Sequence, residues 1–162
     1  MTAVAGDLRS ARSLLILAAF ILVVVGVGAV IGISTPPDAW YASLAKPPFN
    51  PPNWIFGPVW FTLYVLIAIA GWRTALTDSF GTATFLWILQ MVLNWAWSPT
   101  WFGLHLLWPA FVIITVILAL IIAFMVVTWR KVDRVSSLLF VPYALWVGFA
   151  STLNLSIAVL NS

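Results

Sequence analysis

Five apolar stretches divide the chain, and each is long enough to cross a lipid bilayer as a helix. A spanning helix needs about 20 mainly apolar residues, because each residue advances 1.5 Å through a hydrocarbon core about 30 Å thick. Residues 14–25 are apolar on every face, unlike the alternating strands of a membrane barrel. The pattern predicts an all-α, membrane-embedded five-helix bundle in a single domain, residues 1–162, with helices over 13–33, 55–76, 82–103, 106–129 and 135–160.

Composition supports a membrane protein. Of 162 residues, 64% are hydrophobic and only 7% are charged, whereas about a quarter of the residues in a soluble domain are charged. A net charge of +3 would suggest nucleic acid in a soluble protein, but here the cations serve to orient the chain, and no nucleic-acid partner is expected. The absence of cysteine excludes thiolate chemistry and Cys-ligated metals.

The distribution of cations predicts the orientation. Five spans place the N-terminus, the second loop and the fourth loop on one side of the membrane, and the first apolar run is too long for a cleaved signal peptide. Positively charged loops resist translocation, so this side should be cytoplasmic. Its cations are Arg9, Arg12, Arg73, Arg130, Lys131 and Arg134, against Lys46 alone on the other side.

The first loop, residues 34–54, contains six of the ten prolines and is predicted not to be helical. It also carries four aromatic residues, namely Trp40, Tyr41, Phe49 and Trp54. Apolar rings on a stiffened loop favour a lid that folds back over the mouth of the bundle. The alternative is that the rings lie in the interfacial aromatic belt of the membrane.

The charged residues and the histidine give little indication of a catalytic or metal-binding site. The acidic residues Asp7, Asp38, Asp78 and Asp133 all lie outside the predicted spans, which argues against a proton-coupled pump. His105, the single histidine, falls on the same side as Asp38, Lys46 and Ser43, so a hydrolytic site or an axial haem ligand is conceivable. The spacing supports neither, and we expect a solvated polar cap, no catalytic residue and no metal site.

Aromatic and amide side chains dominate the spans instead. At 100° per residue, the polar and aromatic stripe of the third span occupies about 80° of arc and should face inward. Its members are Trp87, Gln90, Asn94, Trp97 and Trp101. The second span offers Phe56, Trp60 and Tyr64, and the fifth offers Tyr143, Trp146, Ala150 and Asn154.

These stripes have two interpretations. The rings either pack the bundle while the amides bond between helices, or they converge around a ligand. In lipid a buried amide needs a partner, so Gln90 and Asn94 should meet another helix or a ligand. Eleven tryptophans exceed what packing requires, and rigid indoles suit a flat aromatic or macrocyclic guest.

The ordered motifs resemble the TspO/translocator protein family, the tryptophan-rich sensory proteins, from Trp40 to Asn154. The residues that carry the resemblance in and after the loop are Trp40, Tyr41, Leu44, Lys46, Pro47, Phe49, Pro51, Pro52, Trp54, Gly57, Pro58, Trp60, Leu63 and Tyr64. Those of the third span are Gln90, Leu93, Asn94, Trp97, Ser98, Phe102 and Gly103; those of the fifth are Pro142, Tyr143, Trp146, Phe149, Ala150, Leu153 and Asn154.

The resemblance implies a homodimeric membrane receptor or carrier, with a sensory or transport role, whose pocket binds tetrapyrroles such as porphyrin or haem and related hydrophobic ligands. Porphyrin or haem would be a ligand, and no cofactor is expected. By motif position the pocket residues are Tyr41, Pro51, Trp60, Asn94, Trp97, Trp146 and Ala150. The alternative that the resemblance implies is photo-oxidative porphyrin degradation dependent on Trp60 and Trp146.

The chain departs from the family pattern at two places. Phe49 replaces a tryptophan, and Leu155 and Val159 replace the tyrosine and basic residue of the cholesterol-recognition pattern, which puts sterol binding through that motif in doubt. Gly28 and Gly32 form a G-x-x-x-G pair in the first span. This pair marks either a dimer face or close packing within the chain.

Overall fold

A computed structural model describes Leu8 and residues 10–162, so Asp7 and Arg9 lie outside the described residues. Within that part the secondary structure is helical, without strands. The α-helices are α1 (Ala11–Ser34), α2 (Ala39–Ser43), α3 (Phe56–Thr77), α4 (Thr82–Ser98), α5 (Leu107–Val127), α6 (Arg134–Leu139) and α7 (Val141–Leu160). Short 3-10 or π-helical turns extend α3 at its start and α4 and α5 at their ends.

Five helical segments account for the predicted spans, which confirms the fold class and an integral membrane protein. Four are long and apolar enough to cross a bilayer: Ala11–Ser34, Asn53–Thr77, Leu107–Val132 and Arg134–Leu160. The fifth, α4, has 17 residues because Pro99 lacks the N–H that would continue its ladder. A π-helical turn over Pro99–Gly103 then extends the segment to the predicted end, with Leu104 N–H donating to the Pro99 carbonyl at 2.9 Å.

The last span is broken, whereas the sequence predicts one continuous helix. The break falls at Phe140, between α6 and α7, because Pro142 at the start of α7 has no N–H to donate. Asp133 caps α6, and its carboxylate accepts the N–H groups of Val135 and Ser136. The same carboxylate pairs with Arg73 at 2.7 Å, which joins the end of α3 to the connection between α5 and α6.

The helices pack as a bundle in which α1 lies against α3, α4 against α5, and α5 against α7, while α6 closes against α3. Fully buried side chains such as Ile67, Phe124 and Tyr143 form the core between them. A second, smaller buried cluster, which contains Tyr41, Trp101 and Leu153, lies near the first loop.

The first loop folds back over the end of the bundle and contains one helical turn that the sequence analysis did not predict. This turn, α2, forms in the proline-free part of the loop, where Asp38 accepts the N–H of Tyr41 at 3.0 Å. The Asn161 side chain donates to the Ala45 carbonyl and accepts from its N–H, both at 2.9 Å. Tyr41 is buried, as the lid interpretation requires, whereas Phe49 and Trp54 are 47% and 73% exposed and fit the aromatic-belt interpretation.

Candidate functional site

A cavity of about 500 Å³ lies under the first loop, between the adjoining halves of α1, α3, α4 and α7. Nine of the residues that line it are aromatic: Tyr41, Phe56, Trp60, Phe61, Tyr64, Trp97, Trp101, Phe102 and Trp146. The polar side chains on its wall are Thr35, Asn53, Asn94, Ser98 and Asn154. No ionisable carboxylate or basic group belongs to this lining, so the cavity suits an apolar guest with a few hydrogen-bonding groups.

Six of the seven predicted pocket residues line this cavity, namely Tyr41, Trp60, Asn94, Trp97, Trp146 and Ala150. Pro51 does not. It lies instead in an open groove on the outer surface, between α3 and α7, where Pro58 and Pro142 also line the wall. The inward stripe of α4 is likewise divided, since Trp87 and Gln90 are buried in the core below the cavity.

Rings from several helices meet around the open space, as the sequence predicts. The centroids of Trp97 and Trp101 lie 5.9 Å apart with the ring planes 19° from parallel. Trp60 and Tyr64 on α3 are 5.4 Å apart, and Trp146 meets the edge of Phe56 at 5.7 Å. These ring pairs have the stacked, tilted and edge-to-face arrangements that aromatic side chains prefer, and all of their members line the cavity.

A chain of hydrogen bonds runs from the cavity into the core. The Tyr64 hydroxyl donates to Asn94 Oδ1 at 2.9 Å, and Asn94 Nδ2 donates to the Tyr143 hydroxyl at 2.9 Å. Tyr143 donates in turn to Gln90 Oε1 at 2.9 Å, and Gln90 Nε2 donates to the Trp87 carbonyl at 3.0 Å. This chain links α3, α4 and α7, and it confirms the expectation that both amides find partners on other helices.

The indole donors of the cavity differ in their partners. Trp97 Nε1 donates to Asn154 Oδ1 at 3.1 Å, so that N–H is occupied. Trp146 Nε1 is buried yet finds no acceptor among the described residues. A buried donor without an acceptor costs free energy. The Trp146 side chain lines both the cavity and the outer groove between α3 and α7.

Sequence reasoning missed the contribution of α1 to the cavity, because the G-x-x-x-G pair indicates close helix packing and does not by itself indicate a cavity. A Cβ at Gly28 would lie 2.3 Å from the Tyr64 ring, so this glycine permits close packing within the chain. Gly32 lines the cavity, and a Cβ there would meet open space. Gly57 and Phe61 on α3 are lining residues that are also exposed, which opens the cavity toward the membrane between α1 and α3.

The polar groups considered for hydrolysis do not form a hydrolytic site. His105 Nε2 lies 3.1 Å from Asp38 Oδ2, but the Ser43 hydroxyl donates to the Trp40 carbonyl at 2.7 Å. The Tyr41 N–H, and secondarily His105, hold the pKa of Asp38 below its usual range. Lys46 donates to the carbonyls at the end of α2. In the described part of the chain, no cluster of three or more His, Cys, Asp or Glu residues is arranged to hold a metal.

The fold and site define a helical membrane protein with an aromatic-lined cavity beneath a folded loop. Comparison with known proteins assigns the family: the TspO/MBR family pattern matches residues 19–160, and the chain belongs to that family. It is 37% identical to Protein CrtK of Rhodobacter capsulatus over 77% of this chain and 80% of the relative. It is also 33% identical to the tryptophan-rich sensory protein of Cereibacter sphaeroides, over 84% of this chain and 85% of the relative. It is 34% identical to the human translocator protein, over 71% of this chain and 70% of the relative.

Proposed function

We propose that this protein binds a flat, hydrophobic tetrapyrrole such as porphyrin or haem in the cavity, as a membrane receptor or carrier with a sensory or transport role. The cavity volume of about 500 Å³ lies within the range of small-molecule sites. The names of two relatives, a sensory protein and a translocator protein, agree with the two roles.

The observation that carries this proposal is the open space between rings on separate helices. Trp60 on α3 and Trp146 on α7 both line it, so a planar guest can contact indoles from two walls. The unpartnered Trp146 N–H provides a donor for an acceptor at the edge of the guest, such as a carboxylate. Asn94 adds an amide on the third wall.

Protoporphyrin binding tests the proposal. In lipid nanodiscs, quenching of tryptophan fluorescence by protoporphyrin should show Trp60→Ala and Trp146→Ala each weakening binding about tenfold, because one stacking contact contributes about 1–1.5 kcal/mol. Trp129→Ala is the matched control, since Trp129 lies at the opposite end of the bundle and is 46% exposed. Wild-type affinity in both cavity variants would remove the site from consideration.

Illumination of the same preparations tests the photo-oxidative alternative. If Trp60 and Trp146 supply the reacting indoles, the Trp60→Phe, Trp146→Phe double variant should slow the loss of protoporphyrin absorbance while it retains two rings for binding. Equal decay in wild type and double variant would leave a binding protein without this activity.

We further propose a homodimer with a cytoplasmic N-terminus. The end of the bundle opposite the first loop carries Arg12, Arg73, Arg130, Lys131 and Arg134, which supports this orientation through the preference of positive loops for the cytoplasm. Native mass spectrometry in mild detergent should give the mass of two chains, and a single-chain mass would contradict the dimer. The same spectrum identifies any small molecule that copurifies.

A further inference from the structure

The first loop is joined to the bundle by a compact cluster of three side chains, Asp38, Trp40 and His105. His105 Nε2 lies 3.1 Å from Asp38 Oδ2. The imidazole also stacks on the indole of Trp40, with centroids 4.1 Å apart and planes 17° from parallel. Both contacts connect the loop to the link between α4 and α5, a separation of more than 60 residues along the chain.

His105 is held in a backbone conformation that residues other than glycine rarely adopt. Its φ is 58°, the one left-handed value for a non-glycine residue in the described part of the chain. Such a conformation is uncommon outside glycine and persists where the surroundings hold it. Here the surroundings are the Trp40 ring and the Asp38 carboxylate, so the strained residue is the one that contacts the loop.

The Asp38 carboxylate has a second role in the same loop. Its Oδ2 faces His105, while its Oδ1 accepts the N–H of Tyr41 at 3.0 Å and caps α2. Tyr41 is carried by that helix into the cavity lining, where its ring meets the edge of Phe102 at 5.3 Å. One carboxylate therefore connects the histidine of the bundle to the residue that the loop places over the cavity.

We propose that Asp38 and His105 are positioning residues that hold Tyr41 and the first loop over the cavity, and that protonation of His105 tightens this attachment. Histidine ordinarily changes charge between pH 5 and 8. With a proton on the imidazole, the pair is an imidazolium facing a carboxylate, because the Tyr41 N–H holds the pKa of Asp38 below its usual range. The attraction between these two charges adds to the Trp40–His105 stacking when the imidazole is protonated, and it is absent when the imidazole is neutral.

The other charged groups near this end of the bundle do not change the expected direction of the pH effect. Lys46, the remaining charged residue of the loop, donates to the backbone carbonyls of Tyr41, Ala42 and Leu44, and its ammonium lies 4.6 Å from the centroid of the Tyr41 ring. This contact supports Tyr41 without involving His105. The π turn after α4 and the helices α5 and α7 contain no charged side chain. Ser162, after α7, accepts a hydrogen bond from Trp108 on α5 through its hydroxyl.

Amide hydrogen exchange tests the attachment without any ligand. In nanodiscs, the amides of residues 39–46, corrected for intrinsic exchange, should exchange two- to fivefold more slowly at about pH 5.5 than at about pH 8, as expected for an exposed ion pair. Asp38→Asn is the decisive variant, because asparagine caps a helix as well as aspartate does but carries no charge. It should remove the pH dependence while the cap is retained.

Two further variants distinguish the effect of the ion pair from the effect of the helix cap on α2. His105→Asn tolerates the left-handed backbone and removes the imidazole, so it should also abolish the pH dependence. Asp38→Ala loses the cap as well, so exchange should be faster at both pH values. Corrected exchange that is independent of pH in the wild type, or a pH dependence that persists in Asp38→Asn, would overturn the proposal.

A ligand measurement extends the test and rests on the proposed function. Protoporphyrin should dissociate two- to fivefold more slowly at the acid pH from the wild type, and equally at both pH values from Asp38→Asn. If the exchange result holds but protoporphyrin does not bind, the proposed function fails and the loop attachment stands. If protoporphyrin binds and its release ignores both pH and Asp38, the pair has no role in retaining the guest.

Discussion

The hydrogen-bond chain beneath the cavity makes Tyr143→Phe a stringent test of how this bundle is held together. Tyr143 is fully buried, and its hydroxyl accepts from Asn94 Nδ2 and donates to Gln90 Oε1, both at 2.9 Å. The substitution keeps the ring and its packing against Phe140, whose centroid lies 5.5 Å away. It therefore removes two interhelical hydrogen bonds without a large cavity.

The expected cost follows from the groups left behind. A hydrogen bond between membrane helices contributes about 0.6 kcal/mol on average, but a buried donor or acceptor left without a partner costs about 1–3 kcal/mol. Asn94 borders the cavity and retains its bond from Tyr64, whereas Gln90 is fully buried and has no access to water. We expect Tyr143→Phe to lower the free energy of unfolding by about 2 kcal/mol, with most of the loss at Gln90.

Unfolding by sodium dodecyl sulfate in mixed micelles, followed by circular dichroism, measures this loss. Adding Gln90→Leu to Tyr143→Phe should recover at least half of it, because the acceptor that lost its donor is gone. Ser151→Ala is the control on α7, since the one acceptor of the Ser151 hydroxyl among the described residues is the Val147 carbonyl of its own helix. A loss below about 0.5 kcal/mol, or no recovery in the double variant, would refute the reasoning.

Two further predictions concern packing and charge. Gly28→Ala should lower the free energy of unfolding by about 1–3 kcal/mol and weaken ligand binding, because the new methyl group would lie 2.3 Å from the Tyr64 ring. Thermal unfolding measures the first effect, and protoporphyrin titration measures the second. Gly26→Ala is the control and should be neutral, because a Cβ at Gly26 would meet open space. Asp133→Asn should lower stability at neutral pH by about 1–2 kcal/mol by removing the charge that pairs with Arg73. Partial burial alone would raise the pKa of Asp133, but hydrogen bonds from Arg73 and Ser136 outweigh it and lower that pKa. Its contribution is therefore present above the ordinary aspartate pKa and is lost as pH falls through the lower folded value, so the wild type and Asp133→Asn should converge in acid and differ at neutral pH.

Much of the candidate site was accessible from periodicity and motif spacing. The 100° rotation per residue places Asn94 and Trp97 on the inward face of α4, and both line the cavity. The same rule placed Trp87 on that face, yet Trp87 donates to the Ile67 carbonyl and belongs to the core. Rotation around a helix distinguishes inside from outside, but it carries no information about where along the axis the neighbouring helices separate.

Pro51 and the contribution of α1 illustrate the other limit. Pro51 follows the family motif, but the loop turns it toward the outer groove between α3 and α7. Gly28 and Gly32 lack side chains, so nothing in their chemistry indicates a cavity until Tyr64 and the open space are seen beside them. A loop path and a close helix approach depend on contacts between distant parts of the chain.

The length and apolarity of the five runs were sufficient to specify a membrane bundle, because a segment in lipid must satisfy its backbone hydrogen bonds internally as a helix. Aromatic and amide positions along those runs likewise predicted which faces turn inward. The depth of the cavity, its unpartnered Trp146 donor and the attachment of the loop through His105 arise only when the packed helices bring these groups together. Local pattern settles what each segment can bury, whereas packing between segments decides what is left open.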